Sequence, residues 1–534
     1  MKRSLFARGL APAVLLSLGA ARAADVDAPR EELPPPPPPA ARPMPLVDWA
    51  EASARVTPEP PAPGRVTLQV HGELALRAAL ASESRLRRAD GSFGELGLAE
   101  RYYYWLRVTP RVRFGADFEI VGQADVPRGS FDPSEPSDVE ISDEPYAGDR
   151  ILDVDPRWLY AEYRTRSARL RIGQQPFHHG MGVVENDGDH PPLFGDYYGG
   201  DRYERAELVI SPAQTPWQFL VAFDLVYRDD AARLTDGDVA LRGSLGMYYG
   251  DERARVSALG IFRHQRSDDA HSATREFSTM TLDSAGHYRA LLRRANAEVF
   301  AEYEIAYRFG DESASRALGG IFDDDAGVSA FGAAIRLGAA FAGTSGGKRF
   351  GRWVPAVEWG YASGDASPGR GKNREFSFDP NHRVGLLVFD EVLRWKTARS
   401  AALLGAPPPG PATIASQGAV RGATYVNPTL IFRPRNELDL KAGLVLAQAT
   451  EDVVDPSSSA TGAKSNYDGG SSSARDLGVE LDAGIEWRVS ASPGLNLELG
   501  AQGGVFFPGR AFDTASGDRL DTQYIAVGRL GVQF

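Results

Sequence analysis

The sequence predicts an all-β fold, a transmembrane antiparallel up-and-down β-barrel of about 18 strands with 16 as the alternative count, and three observations carry that prediction. An alternation of apolar and polar residues with period two begins at Val66 and persists to Phe534. The breaks between these runs come in two lengths that take turns along the chain. Beyond the first two dozen residues there is no stretch of about twenty apolar residues, so a membrane span must be a closed barrel, the other structure that satisfies every backbone polar group in lipid.

Residues 1–23 have the three parts of a secretory signal: Lys2 and Arg3, an apolar stretch around Leu10 to Leu18, and Ala21-Arg22-Ala23, with cleavage expected after Ala23. Residues 24–64 contain the six prolines Pro34 to Pro39 and are expected as an extended polyproline-II linker in the periplasm, either a spacer or an arm for a periplasmic partner. The barrel is assigned to residues 65–534.

The first barrel strand sets Val66, Leu68, Val70, Leu74 and Leu76 on one face and Thr67, Gln69, His71, Glu73 and Arg77 on the other. A second run alternates Val112, Phe114, Phe118 and Ile120 with Arg111, Arg113, Asp117 and Glu119. Later runs set Val299, Ile305 and Tyr307 against Glu298, Glu302 and Glu304, and Leu477, Val479 and Leu481 against Asp476, Glu480 and Asp482. These runs exceed the usual soluble strand of about five or six residues.

Bacterial barrels have short turns at one rim and long loops at the other. Short turns are expected near Thr109-Pro110, Thr165 to Ser167, Ser211 to Thr215, Tyr249 to Glu252, Pro434 to Asn436 and Ser490 to Pro493. Long segments are expected near 127–150, 176–203, 309–326, 364–417 and 451–475. Tyr102, Tyr104, Tyr227, Tyr249, Trp353, Trp359, Tyr361 and Trp487 fall in register with the apolar face, as interfacial girdles require.

The ending is the most specific signal. Tyr524, Ala526, Gly528, Leu530, Val532 and Phe534 alternate up to a terminal aromatic residue, and pairing that strand with the first removes both sheet edges. Here the chain resembles the outer-membrane porins, a likeness that implies an assembly signal at Tyr524, Leu530, Val532 and Phe534 read by the barrel-assembly machinery. Leu170-Arg171-Ile172-Gly173-Gln174-Gln175-Pro176-Phe177 with Gly180-Met181-Gly182 resembles the strand-to-loop motif of large single-chain porins, including the alginate-export family. Glu358 to Asp365 and Phe378 to Gly385 are similar to a strand and loop of that group.

Composition excludes other classes. Without cysteine there is no disulfide, thiolate metal site or cysteine nucleophile. The net charge of −12 argues against nucleic-acid binding. No serine-centred motif stands out among the eight histidines, so no enzyme is expected, and no cofactor.

If apolar positions face lipid, their partners line the lumen. Arg101, Arg107, Arg111, Arg113, Arg169, Arg171 and Arg205 on early strands would oppose Glu298, Glu302, Glu304, Glu480 and Asp482 on later ones. Such arcs either set a transverse field with an arginine track for carboxylates or phosphates, or pair and hold the wall. The segment 176–203 carries His178, His179, Glu185, Asp187, Asp189 and His190, and either folds inward as a constriction or stands as a solvated extracellular loop. Asp187-Gly188-Asp189 alone does not specify calcium, and no metal site is expected. Phe378 to Leu404 fits neither strand alternation nor a flexible loop, and is expected as a helix or cap over the mouth.

The functional expectation is a passive outer-membrane pore for small polar or anionic solutes, in contact with outer-membrane lipid and lipopolysaccharide. The alternative is an export channel, for example of an anionic polysaccharide, or a scaffold coupled to periplasmic partners.

Overall fold

A computed structural model of the chain describes residues 66–97, 99–131, 150–196, 199–268, 274–314, 325–345, 348–405, 413–492 and 494–534. The expected signal and proline-rich linker lie outside the described residues.

Alternation is converted into an outer and an inner face by a single closed sheet. Its strands are β1 (Val66–Ala81), β4 (Glu100–Phe114), β5 (Phe118–Phe131), β6 (Arg150–Arg164), β7 (Ala168–Pro176), β8 (Arg202–Ile210), β9 (Trp217–Arg228), β10 (Asp238–Gly250) and β11 (Ala254–Asp268). The sheet continues with β12 (Thr274–Leu292), β13 (Ala297–Ala314), β14 (Asp325–Ser345), β15 (Lys348–Ala362), β16 (Ala423–Arg435), β17 (Leu438–Ala449), β18 (Asp476–Ser492), β19 (Leu495–Pro508) and β20 (Gln523–Gln533). A small hairpin, β2 (Arg85–Arg87) and β3 (Phe93–Glu95), lies in the first long loop. The 18 strands pair antiparallel in sequence order, and β1 closes the barrel by pairing with both β4 and β20.

The closing seam shows why the last residue matters. The Phe534 carbonyl accepts the N–H of Gly72 at 2.8 Å, and its own N–H donates to the Gly72 carbonyl at 2.9 Å. The Phe534 ring lies over the same glycine, where an added Cβ would stand 2.1 Å from the ring tip.

The outward face is apolar around the wall. Leu68, Leu159, Phe223, Leu245, Phe262, Leu337 and Leu481 are all exposed, together with Trp353, Trp359 and Trp487. A continuous apolar band of this extent is tolerated where lipid rather than water covers it.

Two departures from the expected strand pattern have different local causes. The run 111–123 is two strands, because the chain turns at residues 115–117 and Thr109-Pro110 lies inside β4. Gly115 supplies the turn's positive φ of 68°, and Phe114 pairs with Phe118. Both rings therefore fall on one face, and the alternation runs through the turn without a visible phase change. On β18 the opposite happens: a register shift opposite Ala447 and Gln448, with Gly478 at φ 122°, inserts one residue. Beyond this bulge Leu477 turns into the interior and Asp476 is exposed, reversing their expected faces. The expected long segments are also shorter than their loops suggested at 309–314 and 127–131, where β13 and β5 continue.

Candidate functional site: a loop-filled lumen

A barrel of 18 strands encloses more space than its inward side chains can fill. The described residues of two loops, 177–196 and 199–201 after β7 and 363–405 and 413–422 after β15, occupy it. Together they build an internal apolar core with Val183 and Phe194 from the first and Phe376, Phe378, Leu387 and Phe389 from the second, all buried. The loops meet directly: Asp379 donates its N–H to the Val183 carbonyl at 2.8 Å, and His382 Nδ1 lies 3.1 Å from the Met181 carbonyl. The described part of 176–203 is thus packed inside the barrel against the second loop.

The second loop contains the expected helix. A π-helical turn, Val388–Leu393, runs into α1 (Arg394–Leu404). Trp395 packs with Leu86 and Leu96 of the first long loop. Arg101 binds Glu391 at 2.7 Å, Lys396 binds Asp468 at 2.5 Å and the Ser400 hydroxyl donates to Asp455 at 2.5 Å. Helix α2 (Pro456–Ala460) is capped by the same Asp455, whose side chain accepts the Ser457 N–H.

Wall carboxylates pin both loops. Glu304 accepts the backbone N–H groups of Met181 at 2.6 Å, Val183 at 3.1 Å and Val184 at 2.9 Å. Glu480 accepts those of Leu387 and Val388 at 2.8 Å each, and of Leu386. Successive N–H groups form an anion-binding concavity, and here the anion is a wall side chain. Both residues are on the lumen side, but they act as anchors instead of facing the pore. Asp482 stands inward beside Gly504 and Leu387, near the same anchor.

Loop carboxylates answer with wall arginines. Glu185 binds Arg242 at 2.6 Å and accepts the Tyr203 hydroxyl at 2.8 Å. Asp189 binds Arg107 at 3.1 Å and Arg157 at 3.2 Å. Asp196 binds Arg77 at 3.0 Å and Arg529 at 2.7 Å. Burial works against this last charge, but the two guanidiniums outweigh it and hold the Asp196 carboxyl well below its ordinary range.

The opposed arcs dissolve on inspection of partners. Arg107 is bidentate to Asp125 and Arg205 to Asp224. Arg169 pairs with Glu207 at 2.8 Å, Arg171 with Glu162, and both Arg111 and Arg113 with Glu119. On the other side Glu302 pairs with Arg336 at 3.1 Å, while Glu298 lies half-buried on the lumen face of β13. The expected arginine track is therefore neutralised strand by strand, because acidic residues alternate with the arginines on adjacent strands.

Two cavities lie among the described residues. The larger, about 450 Å³, lies toward the short-turn rim and is lined by His178, His179, His190, His287, Arg255, Arg289 and Glu302 among others. The smaller, about 30 Å³, lies toward the long loops and is lined by Arg228, Arg383 and Arg394 together with Asp201, Asp229, Asp230 and Asp379. Both are lined by Asn381 and Arg383. Burial, with mutual repulsion, holds Asp201 and Asp379 well above the usual carboxylate range, which weakens the negative charge facing these arginines. Sequence patterning missed Arg383 because it sits in a loop, where no period marks a residue as inward.

Most lumen histidines have structural partners. His382 Nε2 lies 3.1 Å from Glu358 and 3.2 Å from the Tyr425 hydroxyl. His179 lies between the Tyr248 and Ser257 hydroxyls at 3.4 and 3.3 Å, with burial pushing its pKa down to about 4. His178 and His190 stack at 3.9 Å between ring centroids, and both face Asp187. Among the described residues, this trio brings one ligand atom each to within 4.8 Å of one another, a grouping that the sequence did not indicate.

No protein-family model matches the chain, and no curated protein matches it. Solved structures do. OccAB1 of Acinetobacter baumannii is 10% identical with a TM-score of 0.48, over 87% of this chain and 96% of its own. The outer membrane protein OprD of Pseudomonas aeruginosa is 8% identical with a TM-score of 0.45, over 87% and 94%. OpdK of Pseudomonas aeruginosa, solved with vanillate, is 11% identical with a TM-score of 0.45, over 87% and 98%.

Proposed function

We propose that the chain is a pore of the Gram-negative outer membrane that passes small polar or anionic solutes by passive diffusion, and that it is not an enzyme. The observation that carries this reading is the pair of cavities, both bordered by Asn381 and Arg383, inside a closed barrel with an apolar outer wall. The small cavity sets the size limit, and the cluster of Arg228, Arg383 and Arg394 beside it, with Asp390 shared between the last two and carboxylates of weakened charge at Asp201 and Asp379, sets a preference for anions. Residues 1–23 direct secretion, and residues 24–64 form the periplasmic linker. The barrel contacts lipid and lipopolysaccharide, and its last strand is the substrate of the barrel-assembly machinery.

The resemblance to the alginate-export type raises a second reading, export of an anionic polysaccharide. The narrow passage supports small solutes over a polymer, which would need both pinned loops to leave the lumen. Single-channel conductance of the mature protein in a planar bilayer, with the reversal potential under a salt gradient, tests the proposal. Small anion-preferring steps are expected. Silence after verified insertion overturns passive diffusion.

A further inference from the structure

We infer that the loop between β7 and β8 carries a binding site for one first-row divalent transition-metal ion, formed by His178, Asp187 and His190 and open to the larger cavity. Asp187 Oδ1 lies 2.9 Å from His190 Nδ1 and 3.8 Å from His178 Nδ1. In a tetrahedral site with bonds of about 2.0–2.1 Å, donors stand roughly 3.3 Å apart. The two separations bracket that value, the third donor pair lies within 4.8 Å, and closing on an ion requires the two rings, stacked 28° apart, to tilt open until their in-plane lone pairs meet.

Hydrogen-bond accounting singles out His178. His179 and His382 have their ring nitrogens beside hydroxyl, carboxylate or carbonyl groups. His178 Nδ1 is buried and has no hydrogen-bond partner. A buried ring nitrogen left in this state is unfavourable, and a metal ion would satisfy it.

The backbone holds the ligands in place before any ion arrives. Glu304 fixes the chain between His178 and Asp187 through the N–H groups of Met181, Val183 and Val184. Asp187 Oδ1 accepts the Asp189 N–H at 2.9 Å across Gly188, whose φ is 66° and where an added Cβ would stand 2.2 Å from the Gly200 nitrogen. Two imidazoles and one carboxylate suit zinc, nickel or copper, whereas calcium requires more oxygen ligands. Asp189 is no part of the set, since it is paired with Arg107 and Arg157. His178 and His190 line the larger cavity, from which water or a donor atom of a passing solute would complete the sphere.

This inference does not depend on the pore reading, and its test keeps the two apart. The folded full-length barrel in detergent is titrated with ZnCl₂ in a calorimeter, alongside His178→Ala, His190→Ala, Asp187→Asn and, as a control remote from the trio, His264→Ala. One ion per chain is expected, with affinity at least tenfold weaker in each of the three site variants, unchanged in the control, and unaffected by millimolar Ca²⁺. Heat-modified gel mobility confirms that each variant is folded. No zinc binding by the parent, or parent affinity retained in His178→Ala or His190→Ala, overturns the site. In bilayers, reversible zinc block that disappears in His178→Ala links the site to conduction. Binding in detergent from a barrel that never conducts leaves the site standing and removes the pore reading instead.

Discussion

The carboxylate of Glu480 on β18 accepts the backbone N–H of Leu387 at 2.8 Å, so a barrel-wall side chain completes the hydrogen bonding of a loop deep inside the lumen. Val388 and Leu386 donate to the same group. Without it, these buried donors would be stranded next to an apolar core, with each unmade bond costing about 1–3 kcal/mol.

Glu480→Ala is therefore expected to release the segment around Val388 while the barrel stays closed. Single-channel recording should show larger, noisier steps than the parent, with unchanged heat-modified gel mobility. Parent-like conductance would mean that the apolar core alone holds the loop.

Arg383 borders both cavities. Arg383→Ala should raise conductance and shift the reversal potential toward cation preference, because the guanidinium is lost from the border of both cavities and its partner Asp390 keeps its negative charge there. An unchanged reversal potential would place the selectivity elsewhere.

Gly72 has no room for a side chain beneath the Phe534 ring. Gly72→Val should impair closure of β1 on β20, measured as loss of folded barrel from the outer membrane. A companion Phe534→Ala change should restore part of the folded yield in the double variant, because it empties the space that valine needs.

Glu375, half-buried in the second lumen loop, has its carboxyl pushed up to about 7 by burial, with Arg421 opposing and Asp365 assisting. A carboxyl raised in the folded state binds its proton more tightly there than in the unfolded chain. Its contribution is thus favourable to folding at low pH and falls as pH rises from about 4.5 to about 7, by up to about 3 kcal/mol. The Tm in detergent should drop over that window, and Glu375→Gln should flatten the drop.

How much was legible in the sequence is clearest from particular residues. Leu68 and Leu481 announced their outward face because period two is a local property of extended backbone. The turn after Phe114 was invisible because it preserved that phase, and the bulge at Gly478 was missed because one inserted residue looks like a lapse in an otherwise regular pattern. Glu304 and Glu480 were placed in the lumen from alternation, but their task was not legible, since their partners are backbone groups 120 and 92 residues away in sequence.

The sequence by itself determined the barrel, its inner and outer faces and its closing strand, because strand alternation and chain order are written locally. Only the tertiary structure decided what the lumen contains. Whether a histidine such as His178 faces water, a wall or two other ligands depends on how a loop returns through the barrel, and no period records that path. The physical reason is that loop position is set by long-range pairing of charges and buried N–H groups, and any one of these residues taken alone would fit an exposed loop equally well.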